Sequence, residues 1–181
     1  MKPFIVALAL LAAPVAAARA QAGGAGDLAQ RVRLLEDRAA LKALVDTFSI
    51  LADRKDVPRQ VLLFTEDATV ESRTGDRAGS VLTGRQQIGD TFGRFLASFT
   101  TVYHMNGQQA VTVTGDRATG TSYSFVVLIG PENGKTVRQT MGVTYDDEYV
   151  RRGARWLIAK RTSHFTWTDR AEVPPASPAP R

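Results

Sequence analysis

Few side chains of this protein could carry acid–base chemistry, because the chain contains two histidines and no cysteine. A neutral imidazole is a competent general base near neutral pH, and a carboxylate bonded to its second ring nitrogen fixes the tautomer. The lack of cysteine excludes thiol catalysis and cysteine-based metal sites. Two histidines without an acidic cluster at ligand spacing are a weak metal set, and no glycine-rich nucleotide loop is present. We therefore expect neither a metal nor a cofactor.

Both histidines lie in predicted strands. His104 stands between Tyr103 and Met105, and a single histidine in a strand is more often a structural residue than a base. His164 lies in the last predicted strand, where its parity favours the outer face of the sheet. Residue type alone therefore leaves both a catalytic and a structural His104 open.

One arginine occupies a position where strand alternation could bury it. Arg161 shares a strand face with Leu157, Ala159 and Ser163. If that face lines a cavity, the guanidinium needs an anion, either from the protein or from a substrate. A purely structural ion pair is an equally open interpretation.

Aromatic side chains are spread over several predicted elements and could line an apolar pocket. Those we expect to contact a small hydrophobic ligand are Phe48, Tyr103, Tyr123, Phe125 and Tyr145. The alternative is that most of them belong to the core, as aromatic side chains usually do.

Apolar residues recur at helical spacing through the first third of the chain. Asp27 can cap a helix that carries a first stripe, made of Leu28, Val32 and Leu35. The second stripe comprises Leu41, Leu44, Val45, Phe48 and Ala52. The phase changes near Asp37, which predicts either one kinked helix or two helices in tandem.

The rest of the chain predicts an α+β fold. After residue 57 the predicted elements are a short helix 58–64, strands 68–72 and 79–82, a helix 84–99, and long strands 102–113, 118–129, 136–150 and 155–167. The Asn133-Gly134 pair is a strong hairpin signal. Helices segregated on one face of a mostly antiparallel sheet make an α+β fold, and a strongly curved sheet would form a cone with a cavity.

The two ends of the sequence have compositions unlike the middle. Residues 1–20 are typical of a secretory signal peptide, with a positive start, a short apolar run and small residues at the cleavage positions. We therefore expect a periplasmic or secreted protein. Residues 21–27 are expected to be a flexible leader, residues 28–169 the folded domain, and residues 170–181 a disordered proline-rich tail.

The charge distribution argues against a nucleic-acid partner. The formal net charge is +5, and it falls to +3 once Lys2 and Arg19 leave with the signal peptide. Basic and acidic residues are interspersed, whereas a nucleic-acid site needs a concentrated basic patch or stripe. We expect no nucleic acid and, after signal cleavage, no membrane contact.

Four stretches resemble the SnoaL-like branch of the nuclear transport factor 2-like superfamily. They are residues 40–53, residues 63–68, Gly84 with Ile88, and the segment TYDDEYVRRGARWLIAKR over residues 144–161. In this order and spacing they are fairly specific for the fold and less so for a function. The fold hosts dehydratases, epoxide hydrolases, isomerases, cyclases and binding modules.

Within that branch the pattern is most similar to scytalone dehydratase and hexachlorocyclohexane dehydrochlorinase. The resemblance implies a cofactor-free lyase in which His104 is the base, Asp53 orients it, and Arg161, counted from Trp156, stabilises developing charge. It also shows departures. A family lysine is replaced by Phe48, and the second catalytic histidine of scytalone dehydratase has no counterpart, because His164 lies on the last strand.

Three hypotheses follow for function. The first is a lyase or isomerase that acts on a small hydrophobic molecule through the Asp53–His104 pair. The second is a non-catalytic small-ligand binding domain, and the third is an interaction module that forms a homodimer through the outer face of the sheet. On helical periodicity alone Asp53 would be exposed, so its inward role depends on the resemblance.

Overall fold

The computed structural model describes residues 13–75 and 77–174. The helices in these ranges are α1 (Ala13–Asp53), α2 (Val57–Gln60) and α3 (Gly84–Ala97), and a 3₁₀ turn covers Val61–Leu63. The strands are β1 (Phe64–Thr74), β2 (Arg77–Thr83), β3 (Thr101–Thr114), β4 (Arg117–Glu132), β5 (Lys135–Arg152) and β6 (Arg155–Glu172).

The strands form one open six-stranded sheet in the order β2-β1-β6-β5-β4-β3. Neighbouring strands are antiparallel except β1 and β6, which run parallel. Helices combined with this mostly antiparallel sheet make a mixed α+β fold, and the predicted fold class is confirmed.

Helix α1 covers more of the N-terminal region than the sequence led us to expect. Residues 21–27, predicted to be a flexible leader, belong to this helix. Between Pro14 and Pro58 the sequence has no proline, so nothing in this stretch removes a backbone donor from the helix. Of the predicted signal peptide, residues 1–12 lie outside the described residues.

The chain divides after Asp37 into two compact units, although α1 runs through this point without a break. In the first unit the apolar residues of the first stripe, Leu28, Val32 and Leu35, are exposed. In the second unit every residue of the second stripe is buried, as expected for the apolar face of an amphipathic helix. Periodicity identified both stripes, but it cannot tell whether the chain supplies a surface to cover them.

The core of the second unit lies between α1, α3 and the inner face of the sheet. Phe48 from α1, Phe64 from β1 and Phe92 from α3 meet there in edge-to-face pairs with ring centroids 5.9–6.3 Å apart. A second cluster joins Ala52 and Leu96 to the inner side chains of β4 and β5. Each fully buried large apolar side chain of this kind stabilises the fold by about 1.5–3 kcal/mol.

The hairpin between β4 and β5 forms where the Asn-Gly pair predicted it. Asn133 and Gly134 have φ values of 51° and 79°, and Glu132 pairs directly with Lys135. A two-residue loop with both central residues at positive φ is a type I′ turn, which matches the right-handed twist of the strands. This turn fixes the register of β4 and β5, which are 16 and 18 residues long.

A row of hydrogen bonds, which we call the polar seam, joins α1 to β3. On α1 its members are spaced four residues apart and therefore lie on one face of the helix. They are Leu41, Val45, Ser49 and Asp53. Their partners on β3 are His104, Asn106 and Gln109.

Asn106 lies at the centre of the polar seam. Its Nδ2 donates to the carbonyl oxygen of Val45 over 3.3 Å, and its Oδ1 accepts from the hydroxyl of Ser49 over 3.0 Å. Nε2 of Gln109 donates to the carbonyl oxygen of Leu41 over 3.3 Å. A bulge between Asn106 and Gln109 shifts the strand parity, so both side chains can face α1.

Strand β6 continues beyond the predicted end of the folded domain. It pairs with β5 as far as Glu172, and the N–H of Val173 donates to the carbonyl oxygen of Thr136. The predicted disorder of residues 170–181 is therefore wrong for its first part, because β5 offers a strand edge that pairs with it. Residues 175–181 lie outside the described residues. Among the residues that are described, no helix combines the length and apolarity needed to cross a membrane.

Candidate functional site

The second unit contains a partly open cavity of about 300 Å³ between the helices and the inner face of the sheet. Most of its wall is apolar, and the lining side chains come from all three helices and all six strands of the described residues. The polar or hydroxyl-bearing residues in the wall are Gln60, Ser72, Ser80, Thr91, His104, Tyr145, Arg161 and Ser163. An apolar cavity with a few convergent polar groups is the usual form of a small-molecule site.

Asp53 and His104 meet at the wall of this cavity. Nδ1 of His104 lies 2.7 Å from Oδ1 of Asp53, and the backbone N–H of His104 donates to Oδ2 over 3.3 Å. The His104 side chain is 8% exposed and that of Asp53 is 26% exposed. Because an ionised carboxylate only accepts hydrogen bonds, this contact favours the tautomer with the proton on Nδ1.

Arg161 forms a buried ion pair with Asp147, its direct cross-strand neighbour on β5. Its Nε and Nη2 donate to the two carboxylate oxygens over 2.8 and 2.7 Å. The hydroxyl of Tyr149 donates to Oδ2 of Asp147 over 2.8 Å. Burial alone would lower the pKa of Arg161, but Asp147 raises it above its ordinary value, so the guanidinium stays charged.

Two aromatic rings enclose the guanidinium of Arg161. Its central carbon lies 4.2 Å from the ring centroid of Phe48 and 4.3 Å from that of Tyr145. Burial raises the pKa of Tyr145, so its phenol remains protonated and able to donate a hydrogen bond. The ion pair and the two rings together fix the guanidinium at the cavity wall.

Two buried polar atoms in this wall have no hydrogen-bond partner within the described part of the protein. They are Oε1 of Gln60 and Nη1 of Arg161. Nε2 of Gln60, by contrast, donates to the carbonyl oxygen of Phe48 over 3.1 Å. Unpaired polar atoms at a cavity wall are groups that a ligand can satisfy.

The family follows from comparison with known proteins. The SnoaL-like domain family matches residues 33–162, a span from α1 to the inner side chains of β6. The chain belongs to the SnoaL-like domain family. This places it in the nuclear transport factor 2-like superfamily, as the resemblance implied.

Solved structures share the fold of this SnoaL-like domain. An NTF2-like protein with a cystatin-like fold from Novosphingobium aromaticivorans is 27% identical, with a TM-score of 0.61 over 77% of this chain and 88% of that one. A protein of the same species with a provisional assignment as a scytalone dehydratase is 22% identical, with a TM-score of 0.65 over 84% and 98%.

A third neighbour is the type 3 hexachlorocyclohexane dehydrochlorinase from Novosphingobium barchaimii. It is 17% identical, with a TM-score of 0.65 over 83% of this chain and 99% of that one. At such identities the dehydrochlorinase and the protein assigned as a dehydratase support the fold alone. Curated proteins give no significant match.

The SnoaL-like domain brings together some of the predicted ligand contacts and separates others. Phe48 and Tyr145 line the cavity. Tyr103, Tyr123 and Phe125 do not, because they are exposed on the opposite face of the sheet, and their predicted contact with a ligand is wrong. The reason is strand parity, since side chains alternate between the two faces and the inner positions of β3 and β4 belong to their sequence neighbours.

The predicted strand face of Arg161 needed a correction as well. Arg161 and Ser163 share the inner face as expected, but Ala159 has no cross-strand partner on β5 and forms the extra residue of a bulge. Ile158 therefore replaces Ala159 in the alternation that leads to Arg161. A bulge of this kind has no signature in the pattern of residue types.

His164 lies on the other side of β6, consistent with its predicted parity. Its Nε2 is 3.0 Å from Oδ2 of Asp146, and its side chain is partly exposed. His164 does not line the cavity. In the described part of the chain no three His, Asp or Glu side chains are grouped closely enough to hold a metal ion.

Sequence reasoning missed two residues of the site. Asp147 escaped notice because it lies between two other acidic residues, Asp146 and Glu148, which together resemble a solvated polar run. Strict alternation through Tyr145 would have identified it as inward. Gln60 sits in the four-residue helix α2, which is too short for any periodic pattern.

The adjacent Asp146 and Asp147 provide a matched test of the buried ion pair. We expect Asp147→Asn to lower the free energy of unfolding by about 3–5 kcal/mol, because it leaves the charge of Arg161 buried without its partner. We expect Asp146→Asn to lower it by less than about 1 kcal/mol, because Asp146 is exposed and its contacts are screened. Urea unfolding followed by circular dichroism measures both, and equal effects would contradict the assignment.

Proposed function

We propose that this SnoaL-like domain is an exported, cofactor-independent lyase or isomerase that removes a proton from a small, mostly apolar molecule. The observation that carries the proposal is the 2.7 Å contact between Nδ1 of His104 and Oδ1 of Asp53 at the wall of the cavity. A base oriented by a carboxylate in a largely apolar pocket is sufficient for proton abstraction next to a carbonyl or leaving group.

In the proposed step Nε2 of His104 is the base. With the Nδ1 proton bonded to Asp53, the lone pair of Nε2 is available to a C–H group of the substrate. The electron pair of that C–H bond forms a new double bond, and either a leaving group departs or an enolate forms. The carboxylate of Asp53 stabilises the imidazolium until the proton is passed on.

Arg161 and Tyr145 would stabilise the negative charge that develops on the substrate. Nη1 of Arg161 has no hydrogen-bond partner among the residues that the structure describes, and Tyr145 is a protonated phenol in the same cavity wall. Donors fixed in place before the reaction stabilise a developing oxyanion without reorganisation. The buried pair with Asp147 supports this role by holding the guanidinium in one orientation.

The structural neighbours are compatible with an elimination reaction. One carries a provisional assignment as a scytalone dehydratase and another is named as a hexachlorocyclohexane dehydrochlorinase. Both names denote the removal of a small molecule across a carbon–carbon bond. At 22% and 17% identity they support the shared fold, so the class of reaction is argued from the Asp53–His104 contact.

A non-catalytic binding domain is the second candidate, and one observation favours it. The contact between Asp53 and His104 is the last of the polar seam along α1, so it also helps to attach α1 to β3, a role that needs no substrate. Under this alternative the cavity holds a small apolar ligand and His104 only packs against it. A proton-transfer assay separates the two candidates.

Deuterium exchange into ketones tests proton abstraction directly. We expect the full chain to accelerate exchange at the carbon beside the carbonyl of 1-indanone or 2-tetralone in D₂O, followed by proton NMR. His104→Ala should lower the catalysed rate by about 10²–10⁴-fold, because the base is removed. Asp53→Asn should also lower it, because an amide neither fixes the required tautomer nor stabilises the imidazolium.

The second histidine supplies the control for this assay. His164→Ala removes an imidazole bonded to Asp146 outside the cavity and should leave the exchange rate unchanged. Exchange no faster than in buffer for the whole ketone set, or undiminished exchange in His104→Ala, would leave only the binding candidate.

Export is the second part of the proposal and rests on residues 1–20. We expect the chain expressed in a bacterium to be recovered from the periplasm or medium with Gln21 as its first residue, as measured by intact mass. Leu10→Arg, which interrupts the apolar run, should keep the full-length chain in the cytoplasm. Recovery of the uncleaved wild-type chain from the cytoplasm would count against export.

We also propose that the outer face of the sheet joins two copies of the chain. The support is an exposed apolar patch formed by Tyr103, Met105, Tyr123, Phe125 and Trp167. Met105 pairs across the strands with Phe125, whose ring lies 6.1 Å from that of Trp167. Contiguous apolar patches with large aromatic side chains are characteristic of protein interfaces.

A charge in the centre of this patch should separate the two copies. We expect Phe125→Glu to shift the wild-type dimer to monomer in sedimentation velocity, because a carboxylate would be buried without a partner. Thr119→Glu places the same charge on the same strand face outside the patch and should leave the dimer intact. A monomeric wild-type chain would refute the proposed interface.

A further inference from the structure

The first stripe of α1 follows the residue spacing of a coiled coil. Leu28, Val32 and Leu35 are separated by four and then three residues, which is the spacing of heptad positions d, a and d. Their side chains are 59%, 43% and 64% exposed. A β-branched residue at a with leucine at d favours two parallel strands. The first stripe therefore has the composition of a two-stranded contact, although it is exposed in a single copy of the chain.

The residues beside the first stripe carry complementary charges. With Val32 at position a, Arg31 lies at g and Glu36 at e, and both are exposed. In a parallel coiled coil the g residue of one helix lies near the e residue five positions later in the other. Within one helix, surface neighbours are three or four residues apart, as Arg31 and Asp27 are, so Arg31 and Glu36 do not face each other. They are placed to pair between two copies.

The same two positions distinguish the possible orientations of a helix pair. In an antiparallel pair g residues lie opposite g residues, so Arg31 of one copy would meet Arg31 or Arg38 of the other. In a parallel pair in register, each Arg31 meets a Glu36, which gives one ion pair on either side of the contact. Charges at e and g set partner choice and orientation in coiled coils, so they favour a second copy in the parallel orientation.

The first stripe is short, but the helix that carries it is already formed. Isolated helices of this length are marginal in water, because the first turn is costly to form. Here α1 continues without a break as far as Asp53, and its later apolar residues are buried in the core of the second unit. Association therefore does not have to nucleate a helix and only orders the side chains of the contact.

We propose that the first stripe binds the same stripe of a second copy as a parallel, two-stranded coiled coil. Its residues follow residue 20, so the mature chain would retain them after signal cleavage. This contact is separate from the proposed interface on the outer face of the sheet, and either contact can fail without the other.

Single cysteines report this contact specifically, because the chain has no cysteine of its own. In a parallel pair in register, position 32 of one helix lies beside position 32 of the other, within reach of a disulfide. We expect Val32→Cys in the full chain to form a linked dimer on oxidation with copper phenanthroline, measured by non-reducing gel electrophoresis. Gln30→Cys, at position f on the far side of the helix, should cross-link at least about tenfold more slowly.

Both cysteine variants carry Phe125→Glu as well. This substitution prevents the outer face of the sheet from bringing two cysteines together, so that cross-linking reports the first stripe alone. Circular dichroism verifies that each variant is folded before oxidation.

A charge exchange tests the pairing of Arg31 with Glu36. Added to Val32→Cys, Glu36→Arg should slow cross-linking by about threefold or more, because arginine then meets arginine in both pairs. Adding Arg31→Glu to that variant recreates opposite charges and should restore the rate. A role of either residue within one copy would not produce this restoration.

Failure of Val32→Cys to cross-link, equal rates for Val32→Cys and Gln30→Cys, or no restoration by the charge exchange would each overturn the proposal. The Phe125→Glu chain is also mixed with vesicles of phosphatidylcholine and phosphatidylglycerol. Binding to these vesicles without cross-linking of Val32→Cys would assign the first stripe to a lipid surface and reject the coiled coil.

Discussion

The carboxylate of Asp53 holds both the ring and the backbone of His104, and the candidate site depends on this double contact. Asp53 can reach His104 because it lies on the same helix face as three earlier members of the polar seam, at intervals of four residues. Those contacts fix the height and rotation of α1 along β3, so the last turn of the helix meets the strand at the cavity wall. A helix attached only by apolar packing could slide or rotate at small energetic expense, since such contacts are not directional.

The buried pair of Arg161 and Asp147 likewise fixes the position of one polar group of the cavity wall, the guanidinium of Arg161. A charged guanidinium inside an apolar cavity is tolerated because the carboxylate balances it, and Tyr149 completes the bonding of that carboxylate. The pair adds little net charge to the cavity wall but leaves Nη1 of Arg161 without a partner among the described residues. The cavity can therefore bind a polar group of a ligand, while its mostly apolar wall still favours an apolar molecule.

The fold class could be predicted from the sequence, because hydrophobic periodicity and turn residues such as Asn133-Gly134 specify helices, strands and hairpins within short stretches of the chain. The sequence was insufficient for the site wherever a side chain's direction depended on a long-range register. Helical periodicity predicted that Asp53 is exposed, because it lies off the apolar stripe of α1. The polar seam is a second face of α1 in contact with the protein, and a hydrophobic pattern does not identify it. Asp147 was missed and Phe125 was assigned to the wrong face for a related reason, since the face of a strand residue follows strand parity and cannot be read from aromatic or acidic character.

The parallel pairing of β1 with β6 has a consequence for how the chain acquires its cavity. Val70 in the first strand lies beside Arg161 in the last, so β1 and β2 gain their place in the sheet only after nearly all of the domain has been synthesised. Such distant pairings close large loops and are intrinsically slow to form. The cavity wall is thus a late product of folding, and a molecule bound inside it would hold together the two ends of the domain's chain.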